Sequence, residues 1–281
     1  MAFSGFSDNT PTPQQKDLPR ISGSEAVIRS FMAEGVETIF GYPGGAIIPV
    51  YDALYDYRDR LNHILVRHEQ CAIHAAQGYA RVTGKTGVCI VTSGPGATNT
   101  VTGLADAMLD STPIVLISGQ VASSTLGTDA FQEINFIEIT NSVTKWNCQV
   151  KRAEDIPEAI AKAFYIASSG RPGPVVIDIT KDAQNGLMNF DYKPMKFIRS
   201  YIPHHGVDND QILEAARLIN LSRKPMALIG QGVILGGAEQ ELKAFLEKSG
   251  IPANWGMSVF CAADPQSRSF GELLQQNLKT A

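Results

Sequence analysis

The sequence predicts an α/β protein: a doubly wound, mainly parallel sheet over residues 21–182, then an incomplete second α/β unit over 207–281. Three observations carry this expectation. Helical and strand periodicities alternate regularly through the first part of the chain. Two runs, Val88 to Val91 and Ile114 to Ser118, are apolar throughout, as in strands covered on both faces. The alternation resumes after residue 206, but only 75 residues remain there, fewer than the ~100–150 of an ordinary domain.

Taken in order, Ser22-Gly23-Ser24 offers caps for a helix with Val27, Ile28, Phe31 and Met32 on one face, stopped at Gly35. A short strand from Glu37 to Phe40 runs into Gly41-Tyr42-Pro43-Gly44-Gly45. A helix around Ile47 to Tyr57 and a strand from His63 to Val66 follow, then a helix from Cys71 to Val82 ending at Gly84. The strand Val88 to Val91 turns at Ser93-Gly94-Pro95-Gly96 into a helix reaching Met108. Ile114 to Ser118 is the next strand. A strand near Val143 to Trp146, a helix from Ile156 to Ser168 and a strand from Val175 to Ile179 complete the set. Strands alternating with helices imply βαβ units, whose ligands sit at the carboxyl ends of the strands. The loops after Phe40, Val66, Val91 and Ser118 are therefore the candidates for chemistry.

Residues 183–206 lose this rhythm and are expected to form a linker. Beyond it lie a helix from Gln211 to Leu221, a strand from Met226 to Ile229, the turn Gly230-Gln231-Gly232 and a helix from Ala238 to Lys248. The polar, proline-containing segment 1–20 reads as a disordered arm, without the apolar core of a secretory signal or an Arg-rich transit pattern.

A net charge of −4 with no Lys/Arg run argues against nucleic acid as a partner, and no apolar stretch approaches the roughly 18 residues of a bilayer span. Cys71, Cys89, Cys148 and Cys261 stand far apart, so buried reduced thiols in a cytoplasmic protein are expected rather than a zinc site or disulfides. The five histidines form no HExxH, and no GxSxG elbow or GxxxxGK[ST] loop is present.

Glu69 follows a strand and opens a helix; a helix start favours its ionised form and burial its protonated form. A carboxyl in that balance suits proton exchange with a ring nitrogen, although on these grounds alone a simple helix cap fits as well. The Ser93–Gly96 turn lets backbone approach a ligand closely, but it makes a poor dinucleotide fingerprint, with Asn99 where a third glycine belongs. The Gly41–Gly45 loop reads either as a ligand loop or as a plain turn.

In combination these segments are more specific. The succession Phe40-Gly41-Tyr42-Pro43-Gly44-Gly45, Arg67-His68-Glu69-Gln70, Gly78-Tyr79-Ala80-Arg81, Thr92 to Asn99 (TSGPGATN), Gly127 to Glu133 (GTDAFQE) and Arg171-Pro172-Gly173-Pro174-Val175 resembles the N-terminal part of the acetolactate synthase large subunit, over residues 20 to 250. The resemblance implies a pyrimidine-binding domain, a middle FAD-binding domain and a pyrophosphate-binding domain, assembled as dimers or tetramers, with active sites shared between subunits. It implies decarboxylation of pyruvate and condensation with a second pyruvate or 2-oxobutyrate, in branched-chain amino acid synthesis, with a possible regulatory small subunit. By the same resemblance Glu69 bonds the pyrimidine of thiamine diphosphate, and Gln132 and Phe131 lie near cofactor and substrate. Tyr42, Gly44, Gly45, Ser93, Gly94, Pro95, Gly96 and Asn99 line that cleft, Lys181 stands at the substrate entrance, and Arg171 with Gly230 and Gly232 contacts FAD. A glyoxylate carboligase relative would lack the glutamate, and the Gly127–Glu133 stretch fits the synthase better than a pyruvate oxidase.

Two departures stand out. Val121-Ala122-Ser123-Ser124-Thr125 occupies a place where relatives often carry a proline and basic residues, and no Gly-Asp-Gly motif for Mg²⁺ and diphosphate occurs. From about residue 256 the tail also ceases to resemble the family. The expectation is a truncated or frame-shifted chain, inactive alone, or else a non-catalytic partner or remnant that lends a pyrimidine-binding half-site to a full-length subunit.

Overall fold

The computed structural model describes residues 18–203 and 206–255. These fall into two compact units, one ending at Pro203 and the other beginning after it. In the first, β1 (Arg20–Ser22), α1 (Gly23–Ala33), β2 (Thr38–Gly41), α2 (Ile48–Tyr55), β3 (Asn62–Leu65), α3 (Glu69–Thr83) and β4 (Gly87–Val91) follow in turn. Then come α4 (Pro95–Thr98), α5 (Val101–Leu109), β5 (Ile114–Gln120), α6 (Phe136–Thr140), β6 (Trp146–Val150), α7 (Ile156–Ser168), β7 (Pro174–Thr180), α8 (Lys181–Asn185) and β8 (Leu187–Asn189).

Six strands form one parallel sheet in the order β3-β2-β4-β5-β7-β6. Successive side chains of a strand face opposite sides, and the core divides accordingly. Ile39, Val88, Ile90, Val115, Ile117, Val175 and Ile177 pack under α1, α2 and α7, whereas Phe40, Cys89, Val91, Leu116 and Val176 pack under α3 and α5. Helices cover both faces, which confirms the doubly wound α/β class. The chain builds outward from β2 to β3 and then returns to place β4 on the other side of β2. The crevice beyond the carboxyl ends of β2 and β4 is thus the switch point where such sheets bind ligands.

Several boundaries differ from the sequence expectation. The helix expected after the Ser93–Gly96 turn and through Met108 is two helices, the first already begun at Pro95, because the Thr100 hydroxyl turns back to donate to Ala97 O at 2.6 Å and the chain bends at Asn99–Thr100. The strand expected near Val143 begins only at Trp146, since Val143 N and the Thr144 hydroxyl bond back to Thr140 O and prolong the turn after α6. Arg20, expected to end a disordered arm, pairs with Asn189 in an antiparallel β1–β8 ribbon. That ribbon also gives the 183–206 stretch, expected as linker, a strand of its own. Residues 1–17 and the atypical tail from 256 lie outside the described residues.

The second unit contains α9 (Asn209–Leu221), β9 (Ala227–Ile229), α10 (Gly232–Leu235), α11 (Glu239–Ser249) and β10 (Ala253–Trp255), with β10 parallel to β9. Asp208 caps α9 by accepting from Asp210 N and Gln211 N. Among its described residues only Ile229 is a buried hydrophobic side chain.

Candidate active site

At the switch point, Glu69 is the first residue of α3 and only 8% exposed. It does not cap the helix: His68 does, its ring accepting from Gln70 N at 3.1 Å. The Glu69 carboxylate instead reaches across to α4, where Asn99 Nδ2 donates to Oε2 at 2.9 Å. The same Asn99 that spoils a dinucleotide fingerprint therefore holds the buried carboxylate in place. Glu69 Oε1 faces Gly96, where an added Cβ would stand 3.2 Å from Oε1 and 2.6 Å from Thr92 Cγ2. Glycine at 96 lets the chain close tightly on Thr92 and the carboxylate, a cradle with no room for a side chain at that position.

Thr92, at the end of β4, is the hub of this cradle. An added Cβ on Gly44 would also fall on it, 2.6 Å from its Cβ, and Ala46 N donates to its Oγ1 at 3.3 Å. The Tyr42–Ala46 loop after β2 and the Ser93–Gly96 loop after β4 thus meet over one hydroxyl. Ser93 is buried, while Tyr42, Pro95 and Gly45 are exposed on the rim, and a side chain at 45 would meet nothing. Beneath the loops the Tyr51 hydroxyl donates to Ile90 O at 3.1 Å; burial pushes its phenol up, with smaller contributions from Cys89 and Glu69.

The segment 121–134 joins from the side. Gly94 has a φ of 59°, a backbone that L side chains rarely adopt, and an added Cβ there would meet Gln132 O at 2.7 Å and Gln132 Cα at 3.0 Å. Gln132 is therefore held against the Ser93–Gly96 loop, while its neighbour Phe131 points into solvent, 87% exposed. Glu133 accepts from Gly127 N and, at 3.1 Å, from Ala130 N. These amides, Gly127 foremost, hold its carboxyl below the usual range. Lys181 opens α8 at the carboxyl end of β7, the same end of the sheet, and is exposed. Next to it, burial works against ionisation of Asp182, but the hydroxyl and amide of Ser123 and the Thr180 hydroxyl outweigh it and bring the carboxyl down to about 2.

Other sequence candidates stand apart. Arg171 precedes β7, at the opposite end of the sheet from Glu69, where its guanidinium donates to Met108 O, Leu109 O and Ser111 Oγ at 2.8–3.2 Å and closes the end of α5. Gly230 and Gly232 belong to the second unit, with room for a side chain at each. Of the thiols expected to be buried, Cys89 is, Cys148 is partly so and raised by burial to about 12, and Cys71 on α3 is exposed, since it falls on the outward side of that helix. Cys261 lies outside the described residues. A cavity of about 580 Å³ at the amino ends of β2 and β4, among Glu37, Lys85 and Tyr165, contains none of the candidate residues.

Sequence reasoning missed Thr92, Gln120 and Asp178. Asp178, on β7, is buried without a cation: Ser118 Oγ, Gln120 Nε2 and Gln149 Nε2 donate to it at 2.7–3.0 Å, and burial raises its carboxyl. An ionisable residue inside an otherwise apolar strand was the available signal. Among the described residues no group of three or more His, Cys, Asp or Glu is placed to hold a metal ion, and no helix is long and apolar enough to cross a membrane.

Comparison with known proteins agrees with this geometry. Residues 21–139 match the family described as thiamine pyrophosphate enzyme, N-terminal TPP binding domain. An acetolactate synthase of Mycobacterium bovis is 52% identical over 235 residues, 84% of this chain and 38% of that protein. An acetolactate synthase large subunit of Haemophilus influenzae is 45% identical over 254 residues, 89% of this chain and 44% of that protein. A probable acetolactate synthase large subunit of Methanocaldococcus jannaschii is 49% identical over 235 residues, 83% of this chain and 39% of that protein. The chain spans less than half the length of these relatives. Residues 21–139 thus carry an N-terminal TPP binding domain of the thiamine pyrophosphate enzyme kind, and along most of its length the chain is similar to acetolactate synthase large subunits.

Proposed function

We propose that the chain forms the pyrimidine-binding half-site of an acetolactate synthase-type carboligase, which joins pyruvate, after decarboxylation, to a second pyruvate or to 2-oxobutyrate. One observation carries the reading: a buried carboxylate, Glu69, steered by Asn99 at the switch point of the sheet and closely bordered by Gly96. Glu69 would hold a ring nitrogen of the cofactor there. Bound there, thiamine diphosphate supplies the nucleophile for decarboxylation and carbon–carbon bond formation. The residues of this chain orient and shield. Glu69 holds a proton at its carboxylate against the ring nitrogen, Asn99 fixes the rotamer, and the 42–46 and 93–96 loops exclude water from the ring. Gln132 lies toward the reacting centre and Lys181 toward the substrate entrance.

Mg²⁺ does not fit the described residues, so the reading assigns its ligands and the diphosphate to the pyrophosphate domain of a full-length subunit paired with this chain, a homodimer being the other assembly the resemblance implies. The FAD assignment of Arg171, Gly230 and Gly232 rests on the resemblance; the capping bonds of Arg171 leave it exposed enough to meet a phosphate as well. A regulatory small subunit and a cytoplasmic setting complete the reading. The domain plan is a pyrimidine-binding domain to about residue 182, with a middle-domain segment from about 207.

The test is acetolactate formation from pyruvate by the purified chain with thiamine diphosphate, Mg²⁺ and FAD. It is run alone and mixed with a full-length synthase subunit whose own pyrimidine-contacting glutamate has been replaced. Silence alone and recovery on mixing, abolished by Glu69→Gln, is expected. Absence of recovery, or activity indifferent to Glu69→Gln, contradicts the proposal.

A further inference from the structure

The segment that carries Phe131, Gln132 and Glu133 leaves the sheet at Val121 and returns at Ile134, just before α6. Its conformation is not one the backbone adopts unaided. Asp129 and Gln132, neither of them glycine, have φ of 56° and 60°, a left-handed region that strains a residue with a side chain. Something must hold it.

Both ends of the segment are tied to one side chain. Gln120, the last residue of β5 and 1% exposed, accepts from Val121 N through Oε1 at 2.9 Å and donates through Nε2 to Ile134 O at 2.9 Å. The same Nε2 donates to Asp178 Oδ2 at 3.0 Å, and Asp178 is fixed in turn by Ser118 and Gln149 on the strands either side of it. The amide thereby closes the neck of a loop of about a dozen residues, and the carboxyl seats the amide. We infer that Gln120, seated on Asp178, is a positioning residue: its clasp on Val121 and Ile134 sets Gln132 against Gly94. The inference rests on the reading of this end of the sheet as a thiamine diphosphate site.

Two readouts test it on the full chain. Gln120→Met keeps the length and apolar stem and removes both hydrogen-bonding atoms. Amide exchange across residues 121–134 is expected to quicken by roughly tenfold or more, the effect of losing bonds to buried groups, while 87–91 and 114–118 keep their protection. Asp178→Asn, which still offers an acceptor to the amide, retains the slow exchange. If Gln120→Met also loosens β4 and β5, Gln120→Asn, too short by one methylene to span the neck, carries the same expectation.

The second readout is affinity for thiamine diphosphate with Mg²⁺ of the chain mixed with the full-length subunit that lacks its own pyrimidine-contacting glutamate. Gln120→Met and Gln132→Ala are each expected to weaken it, and the double variant to be no weaker than the worse single one, because the clasp acts through Gln132. Unchanged exchange in the segment, or fully additive losses in the double variant, overturns the inference. If the mixture with the unsubstituted chain shows no affinity for the cofactor, the site reading fails, and the exchange result still decides whether the clasp holds the loop.

Discussion

Two loops meet where Gly94 touches Gln132, and they are held by opposite means. The Thr92–Gly96 loop is largely buried and set by close packing. Glycines stand where no Cβ fits, a single hydroxyl serves as hub, and apolar strands lie beneath. The Val121–Glu133 loop is largely exposed and held by side chains acting as surrogate backbone: Gln120 at its neck, Asp182 on Ser123, and Glu133 within its own amides. The first is a matter of sterics and should be indifferent to pH. The second depends on carboxylates and should not be.

The sharpest way to break the contrast is Gly94→Val. A β-branched residue at a φ of 59° costs about 1–3 kcal/mol in the backbone, and the clash with Gln132 adds an overpacking cost of similar size. Urea denaturation is expected to show a lowered midpoint at all pH values. A smaller effect, about 1 kcal/mol, is expected for Thr92→Val, which strips Ala46 N of its acceptor. In the other loop Glu133→Gln is expected to leave the global midpoint unmoved while exposing 127–133 to limited proteolysis, because the fold's core does not depend on it.

The pH dependence sharpens the comparison further. Glu133 and Asp182 both sit below their ordinary values, so the order they confer is complete above the unfolded carboxylate range, about pH 4. It is lost as pH falls through the folded values, about 2 for Asp182. Exchange in 121–134 is expected to rise through that window while exchange in 92–99 tracks only global unfolding. Parallel behaviour of the two segments would remove the distinction.

The sheet was legible because buried parallel strands announce themselves as apolar runs between helical periods, as β4 and β5 do. The β1–β8 ribbon was not, since three residues paired across more than 160 positions carry no local period. Glu69, Gly44 and the Ser93–Gly96 turn were legible from motif and strand-end position. The partnership of Glu69 with Asn99 was not, because it forms through space between the start of α3 and the end of α4, 30 residues apart. Gln120 and Asp178 were hidden for a related reason: a polar residue in a buried strand reveals its partner only when register puts Ser118, Asp178 and Gln149 side by side.

The most direct measurement is the backbone amide spectrum of the ¹⁵N-labelled chain during titration with thiamine diphosphate. Shifts concentrated at residues 44–46, 92–96 and 99, and abolished by Glu69→Ala in a chain that keeps its native spectrum elsewhere, are the predicted result. Shifts confined to other residues, or shifts at these positions that survive Glu69→Ala, would contradict the account of Glu69 as the group that receives the pyrimidine.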